Sequence, residues 1–239
     1  IIIGLFTGLS KFASVGKELV VAWRFGTGDE LDSFVMAMVI PSFITNVVAG
    51  SFSSALIPTY IKVREQEGKG AAEQLFSSIM TRAIGLLIVS AIAIAITAPI
   101  YLPLLASGFS VEKLGLTTRL LCLLSPSILL FGIINIWGGV LNAGEKFALA
   151  AISPVITPLV TAIILFACPN LGIYALVVGL ICGSFIEMIV LGIGLLKQGL
   201  KIRPQWSKRE ANLDLVTRQY FPVIVGAFLM CSTGLVDQS

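Results

Sequence analysis

The sequence predicts an all-α fold, a polytopic bundle of membrane-spanning helices. Two observations carry that reading. Hydrophobic residues make up 56% of the chain and charged residues only 12%, about half the charge of an ordinary soluble domain, and the mean hydropathy is +0.98. The apolar residues also fall into windows of about 20, the length at which a helix crosses a hydrocarbon core of roughly 30 Å.

Seven spans are expected. The first covers about 1–25 and ends at Phe25-Gly26-Thr27-Gly28, where two glycines break the helix. The second runs from about Asp32 to Tyr60, with Pro41, Gly50 and Pro58 expected to interrupt it. Spans three and four cover about 75–105 and 116–141, the latter with a kink expected at Ser125-Pro126-Ser127. Span five is about 147–167, span six about 171–196, and span seven starts near Val216. Membrane helices are in general rich in Gly and Pro. Pro154 and Pro158 nevertheless stand out, because a spacing of four puts both on one face of span five. They are the clearest hinge; Pro41 and Gly50 are the hinge candidates of span two.

Residues 1–200 are thus expected to form an N-terminal six-helix transmembrane lobe. Residues 201–239 hold a basic connection and the start of helix seven. The connection carries Pro204 and Trp206 and suits the cytoplasmic face of a membrane. The chain opens on Ile1 and stops at Ser239 inside an apolar run, so a fragment of a longer protein is expected.

Orientation follows from the basic residues. Connections after spans two, four and six hold Lys62, Arg64, Lys69, Lys146, Lys197, Lys201, Arg203, Lys208, Arg209 and Arg218, whereas those after spans one, three and five hold only Lys113 and Arg119. Basic loops stay in the cytoplasm. The N-terminus is therefore expected inside.

Span one is the exception to the apolar rule. It contains Lys11, Lys17, Glu18 and Arg24, and a Lys or Arg at a helix centre costs about 2.5–3.5 kcal/mol on insertion scales. Lys17 and Arg24 are two turns apart and share a face. Two readings compete. Side chains near a helix end can snorkel to the interface, which suits Arg24. Lys17 is mid-helix and is better placed to face a polar cavity, and a cavity lined by cations suits an anionic cargo. Glu187 lies in span six between apolar neighbours. It is either a charge partner for Lys17 or Lys11 or a carboxyl group hydrogen-bonded to a neighbouring helix.

No histidine is present, and Cys122, Cys168, Cys182 and Cys231 follow no metal spacing. Histidine triads and histidine metal sites are excluded, and no metal or cofactor is expected. A membrane-embedded transferase would need an acidic pair at helix-face spacing, and none is present. The chain therefore reads as a transporter, not an enzyme. A cation-coupled drug or toxin exporter is the alternative cargo class. It would favour membrane carboxylates, of which only Glu18, Glu187 and Asp237 qualify.

The stretch from Ser10 to Pro41 resembles the first two helices of the MviN/MurJ lipid II flippases, within the multidrug/oligosaccharidyl-lipid/polysaccharide exporter superfamily. Ser10-Lys11 stand at the family's Ser-Arg pair and Lys17-Glu18 at its Arg-Asp pair. Phe25-Gly26 and Gly28 match its FGxG, and Asp32-Ser33-Phe34 its Asp-Ala-Phe, with Pro41 following. Residues 139–158, GVLNAGEKFALAAISPVITP, are similar to the family's join between helices four and five. The family's arginines in helix one are lysines here, and its basic pair in helix two falls on Thr45 and Asn46. Lysine keeps the charge but not the bidentate fork. The resemblance implies fourteen helices in two lobes around a V-shaped cavity, with this chain supplying the first lobe. It implies alternating-access transport of a polyprenyl-diphosphate-linked cell-wall precursor across a bacterial cytoplasmic membrane. Lys11, Lys17, Glu18, Arg24, Asp32 and Asn46 would bind the cargo. The partners implied are membrane lipid, the anionic lipid-linked precursor and a coupling ion or the membrane potential, with no nucleic acid.

Overall fold

In the computed structural model, residues 2–106, 108–144 and 147–200 are described, and they form helices and turns with no strand. The helices are α1 (Ile2–Phe25), α2 (Asp29–Gln66), α3 (Lys69–Leu105), α4 (Val111–Ala143), α5 (Phe147–Ile152), α6 (Ile156–Ala167) and α7 (Tyr174–Lys197). A 3-10 turn, Ser153–Val155, joins α5 to α6, so the two form one broken span. Helices stand at the positions expected for spans one to six. The connection and seventh helix expected at 201–239 lie outside the described residues.

Five spans are long and apolar enough to cross a membrane: α2, α3, α4, the broken span from Phe147 to Ala167, and α7. The first span departs from that pattern. At 24 residues α1 is long enough, about 36 Å at 1.5 Å per residue, but its four charges keep it outside the apolar set. A helix that long and that charged must show its ionic face to something other than lipid.

Span two does not break where expected. Pro41 and Pro58 lie inside α2, which runs unbroken for 38 residues. Proline removes one amide donor and orphans the carbonyl four residues earlier, a loss that neighbouring groups in a membrane helix can make good. In α4 the repair is visible. Pro126 has no N–H for the carbonyl of Cys122, and the Ser125 hydroxyl donates to that oxygen at 2.7 Å. The helix passes through the Ser-Pro-Ser stretch without interruption. Span five does break, at Pro154. Pro158 sits in the first turn of α6, where a missing N–H costs nothing because that amide would have had no partner.

Contacts along the helices fix their directions. Lys113 meets Asp29 and Asp32, Ser53 meets Asn135, and Arg64 meets Ala143. The residue offset stays near 80 throughout, so α2 and α4 run parallel and in register. Each packs on α3, and α4 also packs on α7. The α2–α3–α4–α7 body encloses a core that includes Leu56, Phe76, Leu87, Leu120, Leu124 and Ile128. α1 stands apart from that body and packs on the broken span.

Span six grips span five by close approach. A Cβ on Gly179 would lie 2.8 Å from Thr161 Cα, and one on Gly183 would lie 2.8 Å from Thr157 Cα. Two glycines four residues apart let the backbones touch.

Candidate functional site

The charged face of α1 is built from few residues. Lys17 Nζ pairs with Glu18 Oε1 at 2.6 Å, the lysine side chain 27% exposed and the glutamate 66%. Neighbouring residues on a helix point about 100° apart, so the pair closes only because both side chains are long. Lys11 is exposed one and a half turns earlier. α1 therefore offers two cations and one carboxylate on a helix attached along one side only.

Arg24 takes a different part. Its guanidinium donates to the carbonyl of Leu165 and, at 2.6 Å, to that of Pro169. These carbonyls belong to the last turn of α6 and the turn after it, where helix carbonyls lack amide partners and a cation complements the dipole. Arg24 thus pins the end of α1 to the end of span five, and the structure does not bring it to Lys17. Arg24→Gln is expected to lower stability by about 1.5–3 kcal/mol, the range for hydrogen bonds from a charged donor. Thermal unfolding of the variant checks this; an unchanged midpoint with lost transport would assign Arg24 to cargo instead.

Asp32 is likewise engaged away from α1. Together with Asp29 it accepts from Lys113 Nζ, at 2.9 and 2.8 Å, and the ammonium lies 4.3 Å over the Phe109 ring. This clasp ties the start of α2 to the start of α4.

Glu187 makes neither of the ion pairs considered for it. It is 4% exposed, and its carboxylate accepts from Thr157 Oγ1 at 2.7 Å. The pairing with Lys17 or Lys11 fails because span five lies between α1 and α7. The first turn of α6, just past the helix break, instead supplies the Thr157 hydroxyl to a buried carboxylate oxygen. The turn that carries Ser153 also touches α1, so the carboxylate, the break and the charged helix form one connected unit.

Asn46 is exposed on α2, while Thr45 beside it is buried and donates back to Pro41 O at 2.8 Å. Asn46, Gly50 and Ser53 follow at helical spacing on one face. Ser53 Oγ donates to Asn135 Oδ1 at 2.8 Å across to α4. One turn on, Gly139 lies so close to α2 that a Cβ there would be 2.8 Å from Ile57 Cδ1. A cavity of about 680 Å³ then opens between α2, α4 and α5, lined by Ile57, Arg64, Asn142 and Phe147 among others. Ser53, Asn135 and Asn142 are not among the residues the sequence singles out, and Arg64 enters there only through the orientation count. The seven-residue spacing of Asn135 and Asn142 within an apolar span was the available signal.

A charged helix is thus carried on one side of a broken span, beside a polar seam on a helical body with five spans long and apolar enough to cross a membrane. The model of the lipid II flippase MurJ family matches residues 21–238, and the chain belongs to that family. A probable lipid II flippase from Synechocystis is 31% identical over 159 residues, covering 65% of this chain and 29% of that protein. One from Haemophilus influenzae is 24% identical over 245 residues, covering 97% and 48%. The chain spans half or less of the length of these relatives. Among solved structures, a lipid II flippase in an inward closed conformation superposes with a TM-score of 0.75 at 23% identity, covering 93% of this chain and 47% of that one. A MOP superfamily transporter from Pyrococcus furiosus gives 0.72 at 14%, covering 95% and 52%. At these identities the likeness is one of fold.

Proposed function

We propose that the chain is the N-terminal lobe of a flippase that moves a polyprenyl-diphosphate-linked saccharide across the bacterial cytoplasmic membrane. The carrying observation is the charge on α1. Two lysines against one exposed glutamate leave a net positive, partly solvent-accessible face on a helix that must lie at membrane depth. Such a face offsets the desolvation of a diphosphate and repels a cationic drug. Asn46 and the Ser53–Asn135 seam supply neutral polar groups suited to a sugar. The break at Pro154, with Pro158 after it, would let span five flex and carry α1 with it. Pro41 and Gly50 would allow α2 to bend although it runs unbroken. The energy would come from a coupling ion or the membrane potential. The N-terminus faces the cytoplasm, since Lys62, Arg64 and Lys69 cluster at the end of the lobe opposite Asp29 and Asp32.

Two preparations of the full-length protein test the two parts, whole cells for orientation and proteoliposomes for transport. Cysteines placed at Asp29 and Lys69 are expected to react from opposite sides, Asp29 with an external reagent in cells. Fluorescent lipid-diphosphate-saccharide is expected to change leaflet. Uptake of a cationic dye without movement of the lipid would replace this reading by the drug-exporter one.

A further inference from the structure

We propose that Glu187 is a proton-binding site whose charge sets how firmly the break in span five is braced. The proton binding stands on geometry alone; its use as the coupling ion rests on the transport reading above. Among the described residues Glu187 is the one acidic or basic side chain that is buried. It lies within about 3 Å of the midpoint of α7 at 1.5 Å per residue, and a carboxylate charge at that depth needs water, a cation or a proton to offset it. No cation faces it. α7 packs on span five, its two 3-10 turns and α4, and residues 147–171 hold no acidic or basic side chain. Gly194 sits against Leu141 and Gln198 bonds Gly144 O, so α4 and α7 run parallel and Glu187 is level with about Ile134. The ionisable groups of α4, Cys122, Arg119, Lys113 and Glu112, therefore lie about 18 Å or more away along the axis. On α7 itself Tyr174 and Lys197 stand at the two ends, and Cys182 is exposed.

The contacts select a proton over a metal ion. A metal ion takes about six oxygens, and no group of three acidic, cysteine or histidine residues that could hold one stands among the described residues. The helices also close beside the carboxylate. A Cβ on Gly183, one turn before Glu187, would lie 2.8 Å from Thr157 Cα, which leaves no room there for a hydrated cation.

The proton decides which partner donates. While Glu187 is charged, Thr157 Oγ1 must donate to it, at 2.7 Å. Once the carboxyl group holds a proton, its O–H donates to Thr157 Oγ1 and the threonine proton turns to another acceptor. Thr45, Thr117 and Thr161 each donate to the carbonyl four residues back, and for Thr157 that carbonyl is Ser153 O, across the break. Little else braces the break. Pro154 gives no amide to Ala150 O, which takes the Ser153 hydroxyl at a long 3.5 Å. A proton on Glu187 therefore adds a bond across the hinge, and its release removes that bond. Lys17 lies at the same level on the other side of span five, seven residues before Arg24 as Pro158 is before Leu165. Cargo charge on one side and a proton on the other thus act on one hinge.

The test uses the full-length protein in sodium-free lipid nanodiscs. Infrared titration is expected to show a carboxylic-acid carbonyl band at low pH that is lost at high pH. Glu187→Gln should remove that band, Thr157→Val should shift it, and Glu18→Gln should leave it in place. Spin labels at Ala148 and Ile163, exposed on either side of the break, with the native cysteines replaced by serine, should report different distances at low and high pH. Glu187→Gln should hold the low-pH distance at both. Thr157→Val should keep the titrating band and lose the change in distance, which a merely structural hydroxyl would not do. A band that never titrates, a band removed by sodium at constant pH, or a distance change that survives in Glu187→Gln or Thr157→Val would each overturn the proposal. Titration and hinge movement in a protein that flips no lipid would uphold proton binding and remove the transport reading; flipping without titration would do the reverse.

Discussion

Gly183→Ala is expected to destabilise the lobe by about 1–3 kcal/mol, the usual cost of forcing a methyl group into a closed contact, and Gly183→Leu to prevent accumulation of folded protein. The new Cβ would stand 2.8 Å from Thr157 Cα and 3.0 Å from its carbonyl oxygen. Both are backbone atoms, so no rotamer change relieves the clash. The helices must separate, and separation pulls Thr157 Oγ1 from Glu187 Oε2. A buried carboxylate then loses its hydroxyl partner in an apolar setting. Gly194 is the control. A Cβ there would meet Leu149 Cδ2, the tip of a flexible side chain that can turn aside. Gly194→Ala should therefore cost clearly less. Thermal unfolding in detergent separates the two, and equal costs would refute this account of the α6–α7 contact.

The order and approximate positions of spans two to six were legible because membrane helices announce themselves by length and apolarity, although α2, α3 and α4 run several residues beyond the expected edges, to Gln66, Lys69 and Val111. The exceptions have local causes. Pro41, Pro58 and Pro126 signal breaks in any chain, yet these helices continue, and Ser125 shows how a hydroxyl can replace the missing amide. Sequence could not distinguish these prolines from Pro154, where the helix does break. The partners of the charges were the least legible. Lys17 and Arg24 share a face, but Arg24 is held by carbonyls 141 and 145 residues away. Asp32 finds Lys113 only because α2 and α4 run in register. Glu187 takes the hydroxyl of Thr157, just past a helix break. Which partner lies nearest is decided by helix order in space, and no spacing along one helix records it.

Lys17→Ala and Lys17→Glu are expected to abolish transport, while Lys17→Arg preserves it. Lys17 lies only about 5 Å along the axis from the middle of α1, where snorkelling is hardest. Its protein counter-ion is Glu18, at 2.6 Å and largely exposed. On the proposed reading a diphosphate at Lys17 would displace or share that carboxylate, so Glu18→Gln should be mild and should not lower affinity for the lipid. Removing the cation leaves the phosphate charge unpaired in a poorly solvated site, at a cost of several kcal/mol. At about 1.4 kcal/mol per tenfold, that is a loss of two or more orders of magnitude. The deciding measurement is the rate of lipid-diphosphate-saccharide flipping by full-length Lys17→Ala in proteoliposomes, with insertion matched to the native protein. Loss of flipping restored by Lys17→Arg is the result predicted. Native flipping by the alanine variant would show that the α1 cation does not receive the cargo.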